Sequence, residues 1–178
     1  MTLWVGVDPG LEGAVGTLHN GVVRIYDAPI IEKLTGRKTK KGNPQVSKKY
    51  IVTAAWTIVR NIQVEAGDDK IEVAIENVHA MPKQGVVSAF NFGRGSMLWE
   101  ALFVAIDVKP ELVTPQKWKR LSMPLMPKGL TKARQKTYAR KQFAARYPDL
   151  ADLVELAKHD GRAESVLIAE YLRKMNGE

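Results

Sequence analysis

The sequence predicts a mixed α/β layer fold, and three observations carry that prediction. The chain opens with three short apolar strand patterns joined by tight turns. Two further strand patterns follow, each preceded by a helical one, and two helical patterns close the chain. Elements in that order give a sheet that is antiparallel at one side and parallel at the other, with helices laid against it. At 178 residues and 45% hydrophobic, the chain can bury one good core, which implies a single domain over residues 1–178.

Leu3-Trp4-Val5-Gly6-Val7-Asp8 reads as a strand stopped by Pro9-Gly10. Strands over 13–18 and 22–26 follow, with His19-Asn20-Gly21 as the hairpin turn between them. Residues 33–44, with Gly36, Gly42 and Pro44, read as a mobile basic loop. Ser47 is placed to cap a helix running to Ala66, whose apolar stripe is Ile51, Ala55, Ile58, Val59 and Ile62. Gly67-Asp68-Asp69 breaks it, and residues 71–76 form a fourth strand. A helix over 88–105 contains Gly93 and Gly95, which allow close packing or a bend. A short fifth strand spans 110–114, a basic helix spans 132–147 and stops at Pro148, and a last helix spans 160–174.

The net charge of +8 is segregated. Ten basic residues and no acid lie between Pro115 and Tyr147, and seven more with no acid between Lys33 and Lys49, leaving ten basic residues against nineteen acids elsewhere. Such clustering fits a polyanion partner better than a generally solvated lysine surface. No apolar run is long enough to cross a bilayer, and no basic region precedes a hydrophobic stretch at the N-terminus. A soluble, cytoplasmic protein is expected, in a bacterium or a phage-infected cell. The absence of cysteine excludes disulfides, thiolate metal sites and cysteine nucleophiles, and fits a reducing compartment.

Four acids stand where carboxylates can converge. Asp8 and Glu76 end strands, where open α/β sheets bind ligands, and each shares its strand face with a small residue, Gly6 and Ala74, that leaves room for an ion. Asp160 and Glu164 lie four apart at the start of the last helix, on a face that continues through Ile168 and Leu172. Taken alone, that pair reads as a helix cap and an ion pair with Arg162 or Lys158. Beside Asp8 and Glu76, a metal site is the better account, because buried carboxylates need a counter-charge. Oxygen-only ligands favour Mg²⁺, with Mn²⁺ as a substitute, over zinc. Two such ions roughly 3.5–4 Å apart can activate water and stabilise a departing oxygen in phosphodiester cleavage. Asp8 is then the natural bridging ligand. His159 adjoins the cluster as a ligand, a proton shuttle or a helix-start residue.

Three motifs, Val5-Gly6-Val7-Asp8-Pro9-Gly10 with Gly13-Ala14, Val73-Ala74-Ile75-Glu76-Asn77, and His159-Asp160-Gly161-Arg162-Ala163-Glu164 with Leu167-Ile168-Ala169, span nearly the whole chain. Together they resemble the RuvC-like Holliday junction resolvases of the ribonuclease H superfamily, especially phage-type members. The resemblance implies a ribonuclease H-like fold with a five-stranded mixed sheet, a homodimer and no organic cofactor. It implies Mg²⁺-dependent nicking of opposed strands at a four-way DNA junction, leaving 5′-phosphate and 3′-hydroxyl ends. Asp8, Glu76, Asp160 and Glu164 would be the metal-binding catalytic acids, and the helix after Glu76 much of the dimer interface.

Two departures stand out. Many relatives space the last two acids three apart and use Asp twice, whereas here the spacing is four and the second acid is Glu164. Many place an aromatic residue three positions after the strand-end Glu, where this chain has His79, which can also stack on bases. Family members carry DNA-contacting lysines after the fifth strand, which nominates Lys117, Lys119, Lys132 and Lys136. Trp118 reads as packing, and Arg94 faces either the DNA backbone or the dimer partner. An actin-like phosphotransferase shares the Asp-Pro-Gly opening but needs two such domains. A ribonuclease H-type enzyme acting on RNA or RNA/DNA hybrids would use the same acids, and a non-catalytic junction-binding protein would not need all four.

Overall fold

The computed structural model describes residues 1–39, 42–77 and 85–177. Its main sheet holds five strands: β1 (Thr2–Asp8), β2 (Ala14–His19), β3 (Val22–Asp27), β6 (Lys70–Glu76) and β7 (Glu111–Val113). They lie in the order β3-β2-β1-β6-β7. The first three pair antiparallel, while β1–β6 and β6–β7 pair parallel. The expected mixed sheet is therefore present. Strands β4 (Ile30–Lys38) and β5 (Pro44–Tyr50) form a separate two-stranded sheet. The helices are α1 (Val52–Ala66), α2 (Val86–Val104), α3 (Pro115–Ser122), α4 (Lys132–Arg146) and α5 (Asp160–Met175), with 3-10 turns at Pro148–Val154 and Ala157–His159.

Alternation along the strands sorts the core into two layers. Leu3, Val5, Val7, Val73 and Ile75 face α1 and α2, where they meet Val59, Ile62, Trp99 and Phe103. Trp4, Leu18, Ala74 and Val113 face the other way, onto α3, α4 and α5. A central strand buried on both faces must be apolar throughout, which is why residues 3–7 lack the polar alternation of an edge strand.

Helix α5 is buried from Gly161 to Leu172 with Arg162 the exception, so it is more than a helix with one inward stripe. It crosses β1 and β2 at very short range. A Cβ at Gly6 would lie 2.1 Å from the carbonyl oxygen of Ser165 and 2.4 Å from the backbone nitrogen of Ala169. The space beside Asp8 that the small residues create is thus filled by α5 and not held open for an ion. Arg162 turns outward to clasp Asp27 at the end of β3 with two hydrogen bonds of 2.6 and 2.7 Å.

The structure corrects the expectations for residues 33–51. The described residues of the stretch read as a mobile loop belong to a hairpin, β4–β5, with Leu34 opposite Val46 and Lys33 opposite Ser47. Its polar composition conceals pairing that runs through the backbone and needs no apolar face. Ser47 is accordingly a strand residue, and α1 starts at Val52 after Ile51, with no side-chain cap. Ile51 is exposed and leaves the stripe, which runs through Ala55, Val59, Ile62 and Ala66. Helix α3, not anticipated, begins with a proline in its first turn, where the missing N–H costs nothing. Among the described residues, no helix is long and apolar enough to cross a membrane.

Because Gly6 meets backbone and not a flexible side chain, Gly6→Ala must push α5 off the sheet. The expected cost is about 1–3 kcal/mol or more, seen as a lower denaturant midpoint. An unchanged midpoint would contradict the close seating of α5.

Candidate active site

Asp8 is the last residue of β1 and Glu76 the last of β6. These strands are adjacent and parallel, so the two carboxylates leave the same edge of the sheet. The turn after β1 folds back so that Gly10 N–H donates to Asp8 Oδ1 at 3.1 Å. Helix α5 starts over this edge. Asp160 lies in its first turn, and Glu164, one turn on, faces the strand ends. Glu76 and Glu164 are only 7% and 5% exposed.

Burial and mutual repulsion set the charges here. Burial pushes Glu76 up to about 8, reinforced by Asp8 and Glu164 and opposed by a hydrogen bond from Trp118 and by Lys119. Trp118 Nε1–H donates to Glu76 Oε1 at 2.9 Å. Asp8 is raised by burial, against the Gly10 hydrogen bond and the pull of Lys136 and Lys119. Glu164 is raised by burial and then by Asp8. Basic side chains supply the balancing charge: Lys119 lies 3.5 Å from Glu164, Lys136 lies 3.5 Å from Asp160, and Arg140 lies 2.9 Å from Asp160. Burial works against the charge on Lys136, but Glu164, Asp160 and Asp8 outweigh it and hold the ammonium above its usual range. His159 is held below its usual range by burial and by Arg162 and Lys158, and its Nδ1 is buried without a hydrogen-bond partner among the described residues.

By charge, burial and donor type, Asp8, Glu76, Asp160 and Glu164 suit a hard divalent cation. Three mutually repelling carboxylates with raised pKa values lack enough positive charge, and a cation would provide it. The oxygens do not close around one point, however. Among the described residues, no group of three or more Asp, Glu or His side chains stands in coordinating positions. Lysine and arginine contacts draw Glu164 and Asp160 toward α3 and α4 instead.

The cluster opens into a cleft of about 360 Å³ lined by Glu76, Glu164, Lys119, Lys132 and Lys136, with Asn77, Thr114, Gln116 and Gln135 between them. Of the lysines nominated by sequence, Lys119, Lys132 and Lys136 thus gather at the site. Lys117 does not line this cleft; it pairs with Glu111 at 2.7 Å and lies over the ring of Tyr171. His79 lies outside the described residues. Sequence reasoning missed Arg140, although Lys132, Lys136 and Arg140 repeat every four residues and share one face of α4. Trp118 is fully buried, as packing requires, yet it also fixes Glu76, a role no spacing signalled.

Unfolded Glu76 ionises near 4.5 and folded Glu76 near about 8. Between those values the folded state holds a proton that the unfolded chain has lost, so Glu76 makes stability fall as pH rises across that window. Glu76→Gln keeps an acceptor for Trp118 and removes that fall. Without divalent cations, parent and variant should melt alike at about pH 4, and the variant several degrees higher at about pH 9. Equal melting temperatures at the higher pH would contradict the burial of an uncompensated charge.

No family model matches the chain, and no curated protein matches it in sequence. Solved structures do. The structure of T. thermophilus RuvC in complex with a Holliday junction substrate is 13% identical, with a TM-score of 0.51 over 98% of this chain and 96% of that one. A second Thermus thermophilus RuvC structure gives 13% identity and a TM-score of 0.52 over the same shares. At this identity the likeness concerns architecture, and in architecture the chain has the ribonuclease H-like fold of RuvC.

Proposed function

We propose that the chain is a structure-selective DNA endonuclease that resolves four-way junctions by Mg²⁺-dependent hydrolysis, leaving 5′-phosphate and 3′-hydroxyl ends. The observation that carries this reading is the set of desolvated, mutually repelling carboxylates, Asp8 and Glu76 at the ends of β1 and β6 with Glu164 of α5, beside a lysine-lined cleft. The RuvC fold supports junction DNA as the substrate.

Asp8, Glu76, Asp160 and Glu164 would hold two Mg²⁺ ions. Magnesium, when bound, supplies activation of water and neutralises charge on the departing oxygen. The remaining work belongs to the chain. Trp118 fixes one oxygen of Glu76, and the Gly10 N–H orients Asp8. Lys119 and Lys136 balance Glu164 and Asp160 in the free protein. Once those acids are otherwise neutralised, both ammonium groups are available to backbone phosphate, with Lys132 beside them in the cleft.

A homodimer supplies the second nick. Helix α2 presents Val87, Phe90, Met97 and Val104 outward, between 52% and 73% exposed. An apolar face of this kind needs cover, and a second copy of the chain provides it.

Nick mapping on a synthetic four-way junction, beside flaps, RNA/DNA hybrids and single strands, tests the reading. Symmetric nicks that require Mg²⁺ are expected on the junction, and preferential cutting of hybrids would move the assignment to a ribonuclease H-type enzyme. Asp8→Asn should abolish nicking while leaving junction binding nearly intact, because it removes metal ligation and no phosphate contact. Phe90→Asp with Met97→Asp should give a monomer in sedimentation and uncouple the paired nicks; a dimer of unchanged affinity would put the interface elsewhere.

A further inference from the structure

We infer that the β4–β5 hairpin is a phosphate-binding arm, fixed to the catalytic turn, that grips duplex DNA outside the cleft. This rests on the reading of the chain as a DNA-acting enzyme, and it adds a contact surface which that reading does not require.

The hairpin is a two-stranded sheet of its own, apart from the main sheet. Residues 31–38 and 44–46 are all exposed. A lone hairpin is marginally stable in water, so its order needs an anchor. The anchor lies at its base. The Tyr50 hydroxyl is shared between the carbonyl oxygens of Pro9 and Gly10, at 2.8 and 2.7 Å. Lys48 reaches Glu12 at 2.8 Å and Glu32 at 3.0 Å. Helix α2 closes on the same point, since a Cβ on Gly95 would lie 2.2 Å from the Pro9 oxygen and 2.9 Å from the Tyr50 hydroxyl. Pro9, Gly10 and Glu12 belong to the turn that orients Asp8. The hairpin is thereby held in a set position relative to the catalytic carboxylate.

Its charge identifies the ligand. Lys48 is spent on Glu12 and Glu32, whereas Lys33, Arg37, Lys38 and Lys49 have no carboxylate partner among the described residues. Four exposed, uncompensated cations on one projecting element match a phosphate backbone, which recognises charge without sequence. Lys119 and Lys136 of the cleft are already paired with acids of the site, so the arm carries positive charge freer than theirs. Duplex held by the arm would enter the cleft at a distance set by the Tyr50 anchor.

The test uses the full chain carrying Lys33→Gln, Arg37→Gln, Lys38→Gln and Lys49→Gln together, and a second variant with Arg at the three lysine positions. Binding to a synthetic four-way junction and to linear duplex is measured over a salt series with chelator, and junction nicking is measured with Mg²⁺. The Gln variant should bind on the order of tenfold or more weaker, with the salt slope reduced by about three to four units. It should nick at an unchanged rate when DNA is saturating, and the Arg variant should bind like the parent. If the parent binds and nicks junctions while the Gln variant keeps affinity and slope, the arm is overturned and the endonuclease reading stands. If binding depends on the hairpin charges but no nicks form, the arm stands and the endonuclease reading falls. If the Arg variant binds as poorly as the Gln variant, shape and not charge matters and the arm is overturned. A parent that binds neither DNA overturns both.

Discussion

The contact between α5 and the backbone of β1 is the constraint from which the site is built. At Gly6 the helix backbone approaches so closely that no side chain fits between them. An ordinary helix-on-sheet packing, separated by side chains, would hold Asp160 and Glu164 farther from the ends of β1 and β6. The close seating explains the near-complete burial of α5 and the strong desolvation of Glu76, Asp8 and Glu164. Packing and electrostatics are here one feature. The glycine that admits the helix also determines how dry the carboxylates are.

Gathering acids in a dry place is unfavourable unless positive charge follows. Helices α3 and α4 bring it, as Lys119, Lys136 and Arg140 reach Glu164 and Asp160 from the side of the cleft. The same basic groups therefore hold the free site together. Drawn by these contacts toward α3 and α4, the oxygens of Glu164 and Asp160 do not close on one point with the others. A further, partly buried ion pair, Arg146 with Glu170, ties α4 to α5 away from the site.

The turn after Asp8 is a mechanical centre. Gly10 orients the carboxylate, Tyr50 holds the carbonyl oxygens of Pro9 and Gly10, and α2 presses on both through Gly95. The apolar face of α2 and the cationic hairpin thus share a support with Asp8.

Much of this was legible in the sequence because local rules govern it. Short apolar runs and Pro-Gly or Asn-Gly turns mark the strands of the main sheet, and the strand-end and helix-start positions of Asp8, Glu76, Asp160 and Glu164 follow from those elements. The four-residue spacing of Asp160 and Glu164 already places them on one helix face. The hairpin at 30–50 was hidden because its pairing runs through backbone groups and its side chains read as a loop. The role of Trp118 was hidden too, since its partner, Glu76, is 42 residues away. By itself, the sequence determined the strands of the main sheet and helices α1, α2, α4 and α5, which residues are acidic at their ends, and where the positive charge concentrates. Only the tertiary structure decided which cations face which acids, that Lys117 turns to Glu111, and that α5 lies close enough to bury the cluster. Those outcomes depend on distances between segments remote along the chain, which backbone pairing and core packing set and no local pattern encodes.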